Sequence, residues 1–197
     1  MKKRKNLSKV IIDGMLIAGI IVGVYSCGNS QKPEDTKEVA EEHNEAKFDE
    51  KKTENDAQFL VNAAEISLME IQLGQLASTN AMMDEVKQMG KMMESDHTKS
   101  LNELKDLATK KSITIPTTLT DDGQSSYKKI SDKSGKDFDK EYCDMMVDGH
   151  KDAIDKFEKA SNDASDPDIR QWASATLPAL RTHLDHAIKC QVDCKKM

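Results

Sequence analysis

Glu94-Ser95-Asp96-His97 sits midway along an amphipathic run at residues 84–110. A Glu and a His three residues apart lie one above the other on one face of a helix. Di-metal helix bundles build their sites from this spacing, joined by single carboxylates from neighbouring helices. By itself the tetrapeptide is a weak signal, and a solvated acidic pair beside one partly buried, hydrogen-bonded histidine is the favoured reading of it. The residues around it carry more weight. Val86, Gly90, Met93, His97, Leu101, Leu104 and Ala108 recur at steps of three and four. His97 therefore stands inside the face that a packed helix buries.

Three other runs share this period. Residues 56–80 carry Phe59, Ala63, Ile66, Glu70, Leu73 and Ala77. Residues 137–163 carry Tyr142, Met146, His150, Ala153, Phe157 and Ala160. Residues 167–190 carry Ile169, Ala173, Thr176, Leu180, His183, Ala187 and Cys190, with Cys194 one turn on. Asp166 suits an N-cap and Pro167 a first helical turn. Pro178 falls inside the last run, where it removes one backbone bond and should bend the helix. Tight turns are expected near residues 81–83 and 164–166, and the segments around them resemble each other. Residues 83–89 parallel 166–172, and 77–80 parallel 160–163, as an internal repeat would. Residues 111–136 are long for a connection and could run the length of a helix, with a short helix at 121–131. The expected fold is all-α: a ferritin-like four-helix bundle of two antiparallel hairpins joined by a long crossover, over residues 56–192.

Composition agrees with helices. Aromatics make up only 4% of the 197 residues, Met numbers 11, and Gly and Pro are few, which disfavours a sheet. Net charge is -6, and residues 1–27 hold five basic residues against one acid, leaving the remainder at -10. A basic footprint for nucleic acid is absent. The four cysteines form no Cys-x-x-Cys zinc pattern.

The N-terminus reads as an address. Lys-Lys-Arg-Lys at residues 2–5 precedes an apolar stretch at 14–24, too short to span a bilayer. Val24-Tyr25-Ser26-Cys27 resembles a lipobox, despite its unusual Tyr25. Cys27 would then be the acylated first residue of the mature chain, anchored to a membrane. Gly28, in place of the Asp that retains lipoproteins at the inner membrane, directs the reading to the outer membrane of a Gram-negative cell envelope. Residues 28–55 are acidic and poor in apolar side chains, and read as a disordered tether.

One ionisable residue interrupts each apolar stripe: Glu70, His97, His150 and His183. Within each hairpin the partners differ in height by one residue's rise, about 1.5 Å. Buried ionisable groups are costly unless paired or liganded. The four are expected to converge mid-bundle, either as a hydrogen-bond network or as ligands of a divalent transition metal. Glu94 and His186 lie one turn away as reserves, and Asp96 points off the stripe towards an outer-shell or surface role. Three imidazoles and a carboxylate suit zinc, copper or iron. The methionines at 89, 92, 93, 145 and 146 also suit soft copper ligation, although Met fills cores without any such role. Cys143, seven residues before His150, and Cys190, seven after His183, should lie level across two antiparallel helices. That permits a disulfide in an oxidising compartment, with Cys194 as the competing partner.

Several motifs together resemble one bacterial family. They are Phe59, Glu70-Ile71-x-x-Gly74-x-Leu76-Ala77, Met93-x-x-Asp96-His97, Ile115-Pro116, Phe138-Asp139-x-x-Tyr142, Met146-Val147-x-x-His150 and Leu177-Pro178-x-Leu180-x-x-His183. Over about residues 56–187 the chain resembles the domain-of-unknown-function 4142 family. That resemblance implies a ferritin-like four-helix fold and export, and brings no established reaction. Leu180 stands where a second Glu-x-x-His needs its carboxylate, and His150 replaces a glutamate, so a di-iron site is incomplete. The leading expectation is a non-enzymatic envelope lipoprotein that binds a metal or acts in envelope stress. The alternatives are a metal oxidase or peroxide-handling enzyme, and a structural interaction module whose protein partners the sequence does not name.

Overall fold

The computed structural model describes residues 34–196, and every regular element among them is an α-helix. The elements are α1 (Thr36–Lys47), α2 (Lys51–Asn80), α3 (Asp84–Lys111), α4 (Asp121–Ser131), α5 (Gly135–Asp163) and α6 (Pro167–Cys194). The expected signal segment, the lipidated Cys27 and residues 28–33 lie outside the described residues. The four long helices and the short crossover helix fall where the periodicity puts them. Asp166 accepts from the backbone N–H groups of Asp168 and Ile169, capping α6 with Pro167 in its first turn. Pro178 leaves α6 one continuous helix; its exposed face lets water take the place of the missing bond.

The expected tether is a correction. Residues 36–47 form a helix docked on the domain, and α2 begins at Lys51 rather than near residue 56. Docking is mostly polar, which explains why the composition hides it. Asn44 donates to the Thr114 carbonyl at 2.8 Å and accepts from the Thr114 N–H at 2.9 Å. Lys37 pairs with Glu65 at 2.8 Å, and Glu65 also accepts from Thr120. Asp35 caps α1 with one carboxylate oxygen and accepts from the Asp121 N–H with the other. Thus α1 fastens the crossover, residues 112–120, to α2. Only Ala40 supplies a fully buried apolar contact from this helix.

Helices α2 and α3 pack along their length, as do α5 and α6, and the pairs meet through α2 with α5 and α3 with α6. Two aspartates brace the pairs. Asp139, at the start of α5, accepts from the Met82 and Met83 N–H groups in the α2–α3 turn, at 2.9 and 2.7 Å. Asp56, near the start of α2, accepts from Ser165 and Asp166 N–H in the α5–α6 turn, at 2.9 and 2.8 Å. Each residue in the first set corresponds to one in the second at the offset of the internal repeat, so the repeat has a structural meaning. Each hairpin caps the other's turn. Asp139→Ala leaves two N–H groups without their acceptor and is expected to cost about 2 kcal/mol. Urea unfolding checks this, and a change below about 0.5 kcal/mol, the range of inert surface substitutions, would show that the brace is incidental.

The core is split into two apolar parts. One holds Phe59, Leu60, Leu104, Phe157 and Leu180, with the rings of Phe59 and Phe157 edge to face at 5.0 Å. The other holds Leu73, Val86, Met93, Tyr142, Met146 and Cys190. Glu70, His97, His150 and His183 occupy the layer between them, one on each long helix.

Candidate metal centre

Burial of the four is nearly complete: Glu70 2%, His97 4%, His150 1% and His183 2% exposed. Each side chain is on the inward stripe of its helix, so the same 3.6-residue period that builds the core carries these groups into it. His97, His150 and His183 converge, each offering a ligand atom within 4.8 Å of the others. The rings stand 5.3–5.9 Å apart by centroid.

The hydrogen bonds decide which nitrogens face inward. His150 Nδ1 lies 2.9 Å from the Met146 carbonyl, which can only accept, so Nδ1 carries a proton. His183 Nε2 lies 3.0 Å from Asp96 Oδ2 and donates to that carboxylate. In neutral rings the remaining nitrogens, His150 Nε2 and His183 Nδ1, are both bare, and they face each other at 3.3 Å. His97 Nε2 is buried without a hydrogen-bond partner among the described residues. Burial and the neighbouring imidazoles hold His97 well below the usual histidine range. Burial, with His183 close by, brings His150 down to about 4. These two rings are neutral at pH 7, and uncharged imidazole is the form that binds metal.

The donor set fits a transition metal. Metal-binding histidines commonly donate their outer N–H to a carboxylate or a backbone carbonyl, which orients the ring. Asp96 does this for His183, and Met146 for His150. Two nitrogens on one tetrahedral zinc, each bound at about 2.0–2.1 Å, stand about 3.3–3.4 Å apart. The observed 3.3 Å lies in that range.

Glu70 stands apart from the three. Its Oε1 is 4.0 Å from His150 Nδ1, the outer nitrogen, and its Oε2 is buried without a partner among the described residues. Burial pushes this carboxyl up to about 8, so at pH 7 it is protonated, and the contact with neutral His150 is no ion pair. The sequence places Glu70 at the right level, while the structure puts it behind His150 rather than among the three converging imidazoles.

A model of the family described as domain of unknown function, DUF4142, matches residues 41–189. The chain belongs to that family. No curated protein and no solved structure matches it. The DUF4142 region contains all three histidines, Asp96, Glu70 and both bracing aspartates, and it begins inside α1.

The reserves do not join the centre of this DUF4142 domain. Glu94 turns to Gln75, accepting a hydrogen bond at 3.0 Å, and His186 is exposed. Both sit one turn from a ligand, but a helical turn of 3.6 residues rotates them off the ligand's direction. The disulfide expected between Cys143 and Cys190 is not formed. All three described cysteines are free and buried, with Cys143 Sγ 3.7 Å from Cys194 Sγ. A hydrogen bond to Cys190 and burial raise the Cys143 thiol, and burial raises that of Cys194. Tyr142, expected in the core stripe as an apolar member, brings a hydroxyl that is buried without a partner among the described residues, and burial, with Glu70 close by, raises it well above the usual range. A buried hydroxyl inside an apolar stripe was the available signal.

Proposed function

We propose that this DUF4142 domain is a ferritin-like four-helix bundle that binds a divalent transition metal through His97, His150 and His183. The observation that carries the reading is the pair of bare ring nitrogens facing each other at 3.3 Å, with both outer N–H groups already committed. Asp96 orients His183, and Glu70 lies against the outer edge of His150. Three imidazoles suit zinc or copper, and iron less well without a carboxylate in the first layer. A metal held by three protein ligands keeps an open position and can act there as a Lewis acid. Nothing around the triad names a substrate, so a binding role is favoured over an oxidase or peroxide-handling one.

The competing reading is a buried hydrogen-bond network, favoured by the contacts of His183 with His150 at 3.3 Å and with Asp96 at 3.0 Å. Titration of metal-free protein with zinc, copper and ferrous iron separates the two. Wild type is expected to bind one equivalent, and His97→Ala with His150→Ala to bind none at that site. Equal binding by both proteins sinks the site, and no binding by either leaves the network. Protons compete with the metal for the imidazoles, so occupancy is expected to fall as pH drops through the histidine range.

The address belongs to the same proposal. No helix among the described residues is long and apolar enough to cross a membrane. The basic start, short apolar stretch and lipobox-like residues support a lipid anchor on Cys27 in the cell envelope, with the outer membrane favoured by Gly28. Mass spectrometry of the purified N-terminus is expected to find acylated Cys27, and Cys27→Ala to stop processing. A Cys27→Ala chain that is still cut and still acylated removes the proposal.

A further inference from the structure

A second set of ligating atoms lies two helical turns from the histidines, at the α2–α3 turn end of the domain. Cys143 Sγ and Cys194 Sγ are 3.7 Å apart, and Cys194 Sγ is 3.7 Å from Met83 Sδ. Cys190 sits one turn before Cys194 on α6 and belongs to the same buried cluster as Cys143. Three sulfurs from three segments thus stand in sequence, Cys143 to Cys194 to Met83, in one apolar corner, with Cys190 in the same cluster. We propose that Cys143, Cys194 and Met83 form a soft-metal site that takes a single Cu(I) ion, with Cys190 as the entry ligand.

Spacing supports this. Two sulfurs on one tetrahedral ion, at about 2.3 Å each, stand about 3.8 Å apart. Both observed separations, each sharing Cys194, are close to that value. Chemistry selects the ion. Thiolates with a thioether favour Cu(I), which accepts few, soft ligands. Zinc takes four ligands from cysteine, histidine and carboxylate, and a thioether is a poor substitute. Iron–sulfur clusters need four thiolates. Binding displaces one proton from each of two thiols and changes no oxidation state, so no oxidant or reductant is required.

The site is held in place and has a way in. Asp139 accepts from the Met83 N–H at 2.7 Å, fixing the backbone of the thioether residue. A cleft of about 320 Å³ opens beside Cys190, walled by the charged Glu85, Lys189 and Asp193 on one hand and by Met89, Met92 and His186 on the other. These soft side chains line an entry path for copper. Seven residues separate Cys143 from His150, about 10 Å along the helix, so the ion would not share the imidazole centre.

The test uses the full chain in detergent, reduced and without oxygen, with Cu(I) competed against a chromophoric chelator. One equivalent is expected to bind with thiolate-to-copper absorption in the ultraviolet. Cys143→Ala and Cys194→Ala should each lose that absorption, while His97→Ala retains it. Met83→Leu conserves volume, keeps the absorption and should weaken the affinity by about tenfold or more. Undiminished thiolate-to-copper absorption in the cysteine variants overturns the site, as does loss of that absorption in His97→Ala. If the cysteine variants fail to fold, unchanged affinity in Met83→Leu overturns it. Failure of zinc to bind the histidines leaves these outcomes unaffected, so the two sites stand or fall separately.

Discussion

Gly90→Ala is expected to destabilise the protein by about 2–3 kcal/mol, although alanine is the better helix former by about 1 kcal/mol. Gly74 and Gly90 face each other where α2 crosses α3. A Cβ on Gly90 would lie 2.7 Å from the Gly74 carbonyl oxygen, 2.8 Å from Ser78 N and 2.9 Å from Ala77 Cβ. A Cβ on Gly74 would lie 2.6 Å from the Gly90 carbonyl oxygen and 2.8 Å from Glu94 N. These are mostly backbone atoms and cannot rotate aside. The helices would have to separate, and the buried surface along the crossing would be lost with them. Gly90→Val should cost more, about 4 kcal/mol, because a branched side chain adds volume to the same clash. Gly149 provides the control. A Cβ there meets only Glu70 Oε1, at an ordinary 3.7 Å. Gly149→Ala should therefore stabilise, by about 0.5–1 kcal/mol. Urea midpoints of the three variants decide the matter. If all three substitutions stabilise, helix propensity governs and the close crossing is not a constraint. His97 lies two turns beyond Gly90, so a separated crossing should also weaken metal binding.

That crossing shows where sequence reading stops. A glycine inside a helical stripe is visible as an anomaly, and Gly90 stands in the stripe of α3. Its partner Gly74 lies off the corresponding stripe of α2, so nothing in one helix announces the pair. The quartet was legible because period and turn position fix both face and height. Those two coordinates bring His97, His150 and His183 together. They do not fix the third, the reach and direction of each side chain, and there Glu70 diverges from the others. Asp96 illustrates the same limit from the other side. It lies off the stripe next to His97, yet reaches across to the His183 ring of α6 at 3.0 Å. Helix α1 escaped because its docking uses side chain–backbone bonds to residues 70 positions away, which leave no periodic apolar mark. Cys143 has Cys194 rather than Cys190 at 3.7 Å; a single turn separates the two on α6, and spacing alone does not choose between them.

Glu70→Gln should remove a loss of stability that metal-free wild type suffers between pH 6.5 and 8. Burial raises the Glu70 carboxyl from its ordinary 4.5 to about 8 in the folded protein. Between those values the folded state holds a proton that the unfolded state has released. Stability therefore falls as pH rises across the window, by about 1.4 kcal/mol per unit. The histidines act in the opposite sense. His150 titrates near 4 when folded against 6.5 when unfolded, and His97 is lowered in the same direction. Below pH 6.5 the unfolded state takes up protons that these rings refuse, so stability falls as pH drops. Between 4.5 and 6.5 the two histidines outweigh the single acid, and above 6.5 the acid acts without them. Stability of the metal-free protein should peak near pH 6.5 and decline by about 2 kcal/mol on reaching pH 8. Glutamine has nearly the shape of the protonated acid and no proton to lose. In Glu70→Gln the decline should vanish, while the fall below pH 6.5 remains. Urea unfolding at half-unit intervals from pH 5 to 8.5 measures both limbs. A variant that declines above pH 6.5 as steeply as wild type would mean that Glu70 is ionised in the folded protein, with a counter-charge or water beside its Oε2.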